Sequence, residues 1–174
     1  MKGAGSIVVT CLTTLPPACR AGLSIRRVRQ FLAVAKQCAG YEAWDVGCRI
    51  TSDIGIRRLN KRYRGHDAPT DILSFAMYTL PGPEQWPAGL ESDDKNLGDM
   101  IISAPYVDAW CRELGADPSE RYEQLLVHGL THLLGYDHED DKDYLSMQTR
   151  EEGILVAARA AYPRLCLAAR KPAP

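Results

Sequence analysis

Histidine is scarce in this chain, and long apolar runs and paired cysteines are absent. No window approaches the run of about 18 apolar residues that a membrane-spanning helix needs. Six cysteines occur, none in a C-x-x-C pair and none with a histidine at ligand spacing, so the sequence contains no cysteine-based zinc motif or redox pair. Reduced thiols in the core of a cytoplasmic protein are therefore the expectation.

Length and composition are those of one globular domain. The chain has 174 residues, of which 45% are hydrophobic, and it shows neither an internal repeat nor a linker. We predict a single domain over residues 1–174, with its core in residues 6–160. Residues 1–41 hold six Lys and Arg and no acid, as organellar transit segments do, although residues 6–13 fit an edge strand equally well. Organellar import therefore stays open beside the expected cytoplasmic location.

Charge is distributed unevenly along the chain. Residues 1–66 contain 12 Lys and Arg against 3 Asp and Glu, and residues 67–174 contain 9 against 19. The two parts therefore carry net charges of +9 and −10, which sum to the chain's −1. A basic first part indicates a surface that binds a polyanion. The alternative is that the two parts interleave in the fold and neutralise each other.

Three of the four histidines lie within eleven residues, in the segment HGLTHLLGYDH that begins at residue 128. Positions i and i+4 share one face of a helix, so His128 and His132 can direct two imidazoles at one ion. Gly135 can adopt the left-handed conformation that ends a helix, after which the chain can return His138 to the same point. Three neutral imidazoles with an open fourth position are typical of a catalytic zinc site. We therefore predict one Zn²⁺ per chain, bound by these three histidines.

The spacing matches the metzincin protease motif His-Glu-x-x-His-x-x-Gly-x-x-His except at one position. The glutamate that serves those enzymes as general base is replaced by Gly129, which offers no proton acceptor. The motif therefore predicts a metal-dependent hydrolase with another substrate. No cysteine lies nearby to complete a four-ligand structural site, and the adjacent Asp137 suits a turn, or a hydrogen bond to a ligand, better than direct ligation.

Periodicity and turn residues predict four strands and about five helices. The strands are expected at residues 6–13, 44–52, 71–77 and 96–103. The helices are expected at residues 24–38, 53–62, 105–114, 118–134 and 141–160. The fourth helix carries the first two histidines of the motif. Residues 78–95 hold three prolines and two glycines and are expected to form a long exposed loop.

Three segments, in order, resemble the YbeY family of endoribonucleases. They are YRGHDAPTDILSF from residue 63, LGD from residue 97 and the histidine motif, and the resemblance spans residues 6–160. It implies an α/β (α+β) fold, in which a small mixed four-stranded sheet packs with about five helices, one of them a zincin-like metal-binding helix. It also implies zinc-dependent cleavage of single-stranded RNA in maturation of the 3′ end of small-subunit rRNA, and a part in ribosome quality control.

The resemblance assigns roles to four residues. His128, His132 and His138 correspond to the family's zinc ligands, and Arg64 to its functionally important arginine. Arg64 and His128 are therefore the predicted catalytic residues. A guanidinium matches the charge of a phosphodiester transition state, and a histidine-bound zinc lowers the pKa of its water to about 7. From the residues alone, Arg64 would be interpreted as a solvated arginine among basic neighbours; the resemblance favours phosphate binding.

Single-stranded RNA, especially rRNA, is the expected partner, together with the small ribosomal subunit and its associated proteins. Basic side chains on two predicted helices are candidates for contacts with the RNA backbone, and four aromatic side chains are candidates for stacking on bases. The basic set is Arg26, Arg27, Arg29, Arg57, Arg58, Lys61 and Arg62. The aromatic set is Tyr63, Phe75, Tyr78 and Trp86, of which Phe75 suits the core better.

Two other functions fit the same motif. One is a non-catalytic ribosome-assembly factor that binds rRNA and uses zinc for stability, and the other is a metalloprotease-like hydrolase that takes its glutamate from elsewhere. Asp71 or Asp99 could act as a general base if the fold placed either near the zinc, although capping or turn roles suit both better. The sequence leaves open the oligomeric state, the role of residues 78–95, and whether a metal hydroxide or the ribose 2′-hydroxyl attacks phosphorus.

Overall fold

The computed structural model describes residues 5–11, 15, 24–91, 94–138 and 140–162. Within these residues the chain forms four strands and five helices. In chain order they are β1 (Ile7–Cys11), α1 (Ile25–Cys38), β2 (Asp45–Thr51), α2 (Asp53–Arg64), β3 (Ile72–Ala76), β4 (Asn96–Ser103), α3 (Ala104–Leu114), α4 (Pro118–Leu133) and α5 (Asp141–Ala161). The predicted α/β class and element order are confirmed. The predicted end of the first strand, at residues 12–13, lies outside the described residues.

The four strands form one mixed sheet in the order β1-β2-β4-β3. β1, β2 and β4 run parallel, whereas β3 pairs antiparallel with β4 at the edge. α1 connects β1 to its parallel neighbour β2, as a crossover between parallel strands requires. The small mixed four-stranded sheet that the resemblance implies is therefore confirmed.

The two faces of the sheet carry different helices. α1 packs on β1, α4 packs on β3 and β4, and α5 lies against both helices. Ile50, Met100 and Ile102 are fully buried beneath this layer. α2 contacts β3 and β4 from the opposite face, where Asp99 and Ile101 lie. No helix in the described part of the chain is both long enough and apolar enough to cross a membrane.

α2 begins at Asp53, where the sequence predicts the helix to begin, and its cap is the residue before it. Ser52 caps the helix, because its hydroxyl accepts a hydrogen bond from the backbone N–H of Gly55 at 3.3 Å. Such a cap stabilises a helix by about 1 kcal/mol. Asp53 is the first helical residue, and its carboxylate accepts a hydrogen bond from Ser103 Oγ at 2.6 Å. This bond ties the start of α2 to the end of β4.

Residues 78–95 form the predicted loop, but its described residues pack against the fold. The ring of Trp86 lies 5.7 Å from the ring of Tyr41 and 4.2 Å from that of Trp44, measured between centroids. The indole N–H of Trp86 also donates to the Tyr41 hydroxyl at 2.9 Å. Aromatic pairs contribute about 0.5–1.5 kcal/mol beyond the area they bury. The loop is therefore fixed to the connection between α1 and β2.

Three cysteines in the described part of the chain, Cys38, Cys48 and Cys111, are free thiols. Cys19 and Cys166 lie outside the described residues. Burial raises the pKa of the Cys48 thiol to about 12, with a smaller contribution from the Asp99 carboxylate. A thiol with so high a pKa is inert, so Cys48 acts as a core side chain, as the sequence predicts.

Candidate metal centre

α4 and the segment after it bring three histidines together. His128 and His132 lie one turn apart on α4, and His138 lies between α4 and α5. Each side chain offers one ring nitrogen, and these atoms all lie within 4.8 Å of one another. The cluster could hold one metal ion, and the predicted convergence of the three histidines is confirmed.

The chain returns to the metal centre because α4 ends at Gly135. Gly135 has a φ of +86°, in the left-handed region that the sequence predicts for it. Its N–H donates to the carbonyl of His132 at 3.0 Å, and the N–H of Tyr136 donates to the carbonyl of Thr131 at 3.2 Å. This pair of bonds is the Schellman motif, which satisfies the last carbonyls of a helix while the chain reverses. His138 is thereby carried back toward the two helical histidines.

Gly129 faces the sheet and not the histidines. A Cβ atom at this position would lie 2.4 Å from Met100 Sδ and 2.7 Å from Ile72 Cδ1. α4 therefore approaches β3 and β4 so closely that a side chain at residue 129 would displace the side chains of Met100 and Ile72. The sequence suggested that a glutamate base had been lost here. The structure shows in addition that a glutamate at residue 129 would require these two side chains to move.

Two of the three rings are oriented through their second nitrogen. His128 Nδ1 lies 2.8 Å from Glu151 Oε1, and His132 Nδ1 lies 3.0 Å from the carbonyl oxygen of Tyr136. A carbonyl can only accept, so the proton of neutral His132 is on Nδ1 and its lone pair is on Nε2. Glu151 also accepts a hydrogen bond from Thr131 Oγ1 at 3.3 Å. Carboxylates and carbonyls that hold a ligand ring in this way are typical of histidine metal sites.

His132 is kept neutral by its surroundings. The pKa of its imidazole is lowered to about 4, mainly by burial and to a lesser extent by the neighbouring His128, against the hydrogen bond to Tyr136, which raises it. A neutral imidazole is the form that binds a metal ion. The site therefore presents a metal-binding form of His132 at neutral pH.

Arg64 lines the same groove as the three histidines. This groove has a volume of about 430 Å³, and its wall also includes Asn60, His66, Thr70, Asp71 and Ser74. Arg64 is the last residue of α2 and is exposed, and Gly65, with a φ of +75°, ends the helix immediately after it. The end of α2 and the histidine face of α4 therefore form two walls of one cleft.

The basic neighbours of Arg64 are partly neutralised. Arg57 and Lys61 each contact Asp67 at 2.8 Å, and their hydrogen bonds lower the pKa of the Asp67 carboxyl to about 2. Arg64 makes no ion pair with any described residue. Its guanidinium therefore remains available to a ligand in the groove, whereas two of the basic side chains on the same helix are already engaged.

The two aspartates considered as bases differ in position. Asp71 lines the groove but pairs with Arg121 at 2.7 Å and accepts a hydrogen bond from the N–H of Ile72 at 2.8 Å. Asp99 projects from the other face of the sheet, beside Gly47 and Tyr63. Asp71 is therefore engaged in an ion pair, a role that the sequence did not predict, and Asp99 lies away from the histidines.

The four aromatic candidates for base stacking do not line the histidine groove. Tyr63 and Phe75 contact each other, with centroids 5.1 Å apart, on the far face of the sheet. Tyr78 and Trp86 contact each other at 6.1 Å within the loop of residues 78–95. The expectation that these rings stack on RNA bases near the metal has no support in this geometry.

Two polar residues of the site were missed by sequence reasoning. His66 lines the groove and belongs to the conspicuous segment that follows Tyr63, so its position was available from the motif. Glu151 lies 23 residues after His128 on another helix. No spacing rule connects the two, so only the packing of α5 against α4 reveals Glu151.

The fold and the site define an α/β protein whose groove combines an arginine with three histidines that could hold a metal ion. A family model described as Endoribonuclease YbeY matches residues 22–159. This match covers well over half of the 174 residues, and the chain therefore belongs to the YbeY endoribonuclease family. The resemblance carried by the three sequence segments is confirmed.

Relatives of known name agree with this assignment. The Endoribonuclease YbeY of Moorella thermoacetica is 42% identical over 132 residues, which is 76% of this chain and 83% of the relative. That of Alkalilimnicola ehrlichii is 36% identical over 148 residues, which is 84% of this chain and 85% of the relative. The solution structure of TM1509 from Thermotoga maritima matches with a TM-score of 0.59 over 97% of this chain and 99% of its own, at 20% identity. This last likeness concerns the fold alone.

Proposed function

We propose that the chain is a zinc-dependent endoribonuclease that cuts single-stranded RNA during maturation of the 3′ end of small-subunit rRNA and takes part in ribosome quality control. The observation that supports this most is the shared groove of Arg64 and the three histidines, in a chain whose relatives are named endoribonucleases. The proposed partners are rRNA, the small subunit and its associated proteins. The proposed setting is a single domain in the cytoplasm, in agreement with free thiols.

The donor set fits zinc, and we assign His128, His132 and His138 as its ligands. Three imidazole nitrogens with an open fourth position are a common catalytic arrangement for Zn²⁺. The neutral state of His132 and the hydrogen bonds at Nδ1 of His128 and His132 leave one lone pair of each ring for the ion. When bound, zinc supplies an acidified water molecule and polarises a phosphoryl oxygen.

Arg64 is proposed to bind the scissile phosphate. Its guanidinium is exposed at the end of α2, in the groove that the histidines line. A planar guanidinium can donate two parallel hydrogen bonds to a phosphate. It would therefore orient the phosphodiester and stabilise the negative charge that develops in the transition state. His128, as a ligand oriented by Glu151, is the second proposed catalytic residue.

The RNA backbone is proposed to follow α2 toward the groove. Arg58 and Arg62 are exposed on this helix, whereas Arg57 and Lys61 are engaged by Asp67. Contacts between exposed arginines and phosphates give affinity that depends on salt and little on sequence. Of the predicted basic set on α2, we therefore assign Arg58 and Arg62 the larger part in RNA binding.

The two alternative functions make different predictions. A metalloprotease needs a general base beside the metal, and a glutamate at residue 129 would collide with Met100. A non-catalytic assembly factor would bind rRNA and zinc but leave RNA intact when loaded with metal. Cleavage of RNA by the zinc-loaded protein therefore separates the proposal from both.

The test combines zinc analysis with cleavage of matched single-stranded and double-stranded RNA, before and after chelation. We expect one zinc per chain and cleavage of the single strand that chelation abolishes. Arg64→Ala should keep the zinc and lose cleavage by at least about 100-fold, the usual order for one removed charge-stabilising donor. Arg112→Ala, which removes an exposed arginine on α3 outside the groove, is the matched control. Full cleavage by Arg64→Ala would contradict the assigned role.

A further inference from the structure

The loop of residues 78–95 packs against the turn that leads to His138. Leu80 Cδ1 lies 3.0 Å, and the carbonyl oxygen of Gly82 lies 3.5 Å, from the point that a Cβ of Gly135 would occupy. The backbone N–H of Glu84 donates to the carbonyl of Leu134 at 2.8 Å. Three loop residues therefore contact the residues at which α4 ends. We call Leu80, Gly82 and Glu84 the brace.

The carboxylate of Glu84 joins the brace to two further parts of the fold. Oε1 accepts hydrogen bonds from Arg150 Nε at 2.8 Å and from the Tyr136 hydroxyl at 3.2 Å. Oε2 accepts one from the Tyr41 hydroxyl at 3.1 Å. Arg150 also donates to the carbonyl of Ala39 at 2.9 Å. One side chain thus connects the loop, the turn after α4, α5 and the end of α1.

The backbone of Glu84 is itself held in an unfavourable conformation. Its φ is +59°, and it is the one non-glycine residue with positive φ in the described part of the chain. Such a conformation persists where the surrounding contacts determine it, and it occurs more often at functional sites than elsewhere. The contacts of Glu84 with Leu134, Tyr136 and Arg150 are the ones that determine it here.

Tyr136 connects the brace to the metal centre. Its hydroxyl donates to Glu84, and its carbonyl oxygen accepts the hydrogen bond from His132 Nδ1 at 3.0 Å. The direction of that carbonyl sets the rotation of the His132 ring and the proton position on it. A displacement of Tyr136 would therefore turn the lone pair of His132 away from the other two ligands. His138, two residues further on, would move with the same turn.

We propose that Glu84 is a positioning residue of the metal centre, which it orients through Tyr136 without contacting the ion. This inference rests on the proposed function in one respect, namely that the three histidines bind zinc. It assigns the loop of residues 78–95 a role in metal affinity, where the sequence left its role open. It also predicts that a substitution outside the groove changes the coordination of the metal.

The test measures the zinc Kd of the full chain by competition with a chromogenic chelator. Glu84→Ala should bind zinc about ten-fold more weakly, the order found when a group that orients a metal ligand is removed. Glu84→Gln should fall between it and the wild type, because its amide oxygen accepts from a hydroxyl but lacks the charge that faces Arg150. Glu91→Ala removes an exposed carboxylate from the same loop and should leave the Kd unchanged.

A spectroscopic readout separates positioning from a general loss of stability. Cobalt(II) bound in place of zinc reports the geometry of its ligands by its visible absorption spectrum. A variant that is folded but only less stable would keep the wild-type spectrum. We expect Glu84→Ala to shift this spectrum and Glu91→Ala to preserve it. Tyr136→Phe removes only the hydroxyl and should weaken zinc binding several-fold. If Glu84→Ala fails to fold, this variant tests whether Glu84 orients the site through Tyr136.

The outcomes distinguish this inference from the proposed function. The role of Glu84 would be refuted if Glu84→Ala had the zinc Kd and the cobalt spectrum of the wild type. If Glu84→Ala does not fold, the same result in Tyr136→Phe would refute it. Either result would leave the proposed function standing. Wild-type protein that bound no zinc would refute the proposed zinc site and this inference with it.

Discussion

The candidate metal centre has a helical side, formed by His128 and His132, and a loop side, formed by His138. The two sides are built differently. His128 and His132 project from α4, whose opposite face is buried, and each has its Nδ1 in a hydrogen bond. His138 is exposed, follows the turn at Gly135, and its ring has no hydrogen-bond partner among the residues that the structure describes. Two of the three imidazole rings are therefore held in place by hydrogen bonds, and the third is placed near them by the path of the backbone.

This difference indicates how binding free energy is divided among the ligands. A ring that is already oriented loses little conformational entropy when it binds, whereas an exposed ring loses more. The helical pair should therefore contribute more to zinc affinity than His138. The loop ligand in turn leaves one side of the site accessible to RNA.

Removal of a ligand should have the largest effect, and the effect should depend on the side. Structural zinc in zinc-finger peptides binds with about 10–16 kcal/mol, and a third of such a binding free energy is about 4 kcal/mol, or about 1,000-fold in affinity. We expect zinc affinity to fall about 1,000-fold in His132→Ala and about 100-fold in His138→Ala. Isothermal titration of both variants with zinc checks the order. A larger loss for His138→Ala would contradict the comparison.

Acid should destabilise the metal-free protein through the half-buried His132. The pKa of its imidazole is about 4 in the folded protein, against an ordinary value of 6.5. Between these two values the unfolded chain binds a proton that the folded chain does not, so the free energy of unfolding rises with pH across this window and is constant above it. The loss on acidification should approach about 3 kcal/mol. Urea denaturation from pH 7 to pH 4 measures it, and His132→Gln should remove this part of the slope.

The rigidity of the helical side depends on Gly129. A Cβ there would lie 2.4 Å from Met100 Sδ, so Gly129→Ala should lower the free energy of unfolding by about 1–3 kcal/mol, as overpacking does. Gly153 lies in α5, where an added Cβ would meet nothing within 4 Å. Gly153→Ala should therefore stabilise the protein by up to about 1 kcal/mol. Urea titration of both variants measures their free energies of unfolding. If both substitutions changed the free energy of unfolding equally and in the same direction, the special role of Gly129 would be contradicted.

Loss of the carboxylate behind His128 should lower zinc affinity less than removal of either histidine. Glu151→Gln keeps the shape of the side chain but weakens its hold on His128 Nδ1, which lies 2.8 Å from it. We expect zinc affinity to fall about ten-fold. Glu152→Gln, at the exposed neighbouring position, is the control and should bind zinc as the wild type does. An unchanged affinity in Glu151→Gln would show that α5 does not orient the helical side.

The sequence predicted the metal centre better than its surroundings. Spacing and helical periodicity placed His128 and His132 on one face, and glycine chemistry predicted the turn at Gly135. The same reasoning left Asp99 open as a possible base, because a strand residue points to either face until its register is known. Register places Asp99 beside Gly47, on the face away from the histidines. Likewise, the sequence shows only that Gly129 replaces a glutamate base. The close approach of residue 129 to Met100 is a property of the tertiary structure.

The convergence of the three histidines on one point followed from the sequence, because residues one helical turn apart are neighbours whatever the rest of the chain does. The family followed as well, since three short segments in order carry it. Tertiary structure alone decided what orients the ligands. Glu151 is 23 residues from His128, and Glu84 is 66 residues from its partner Arg150. Contacts over such separations depend on how α4, α5 and the loop pack together, and local sequence does not encode that packing in a readable form.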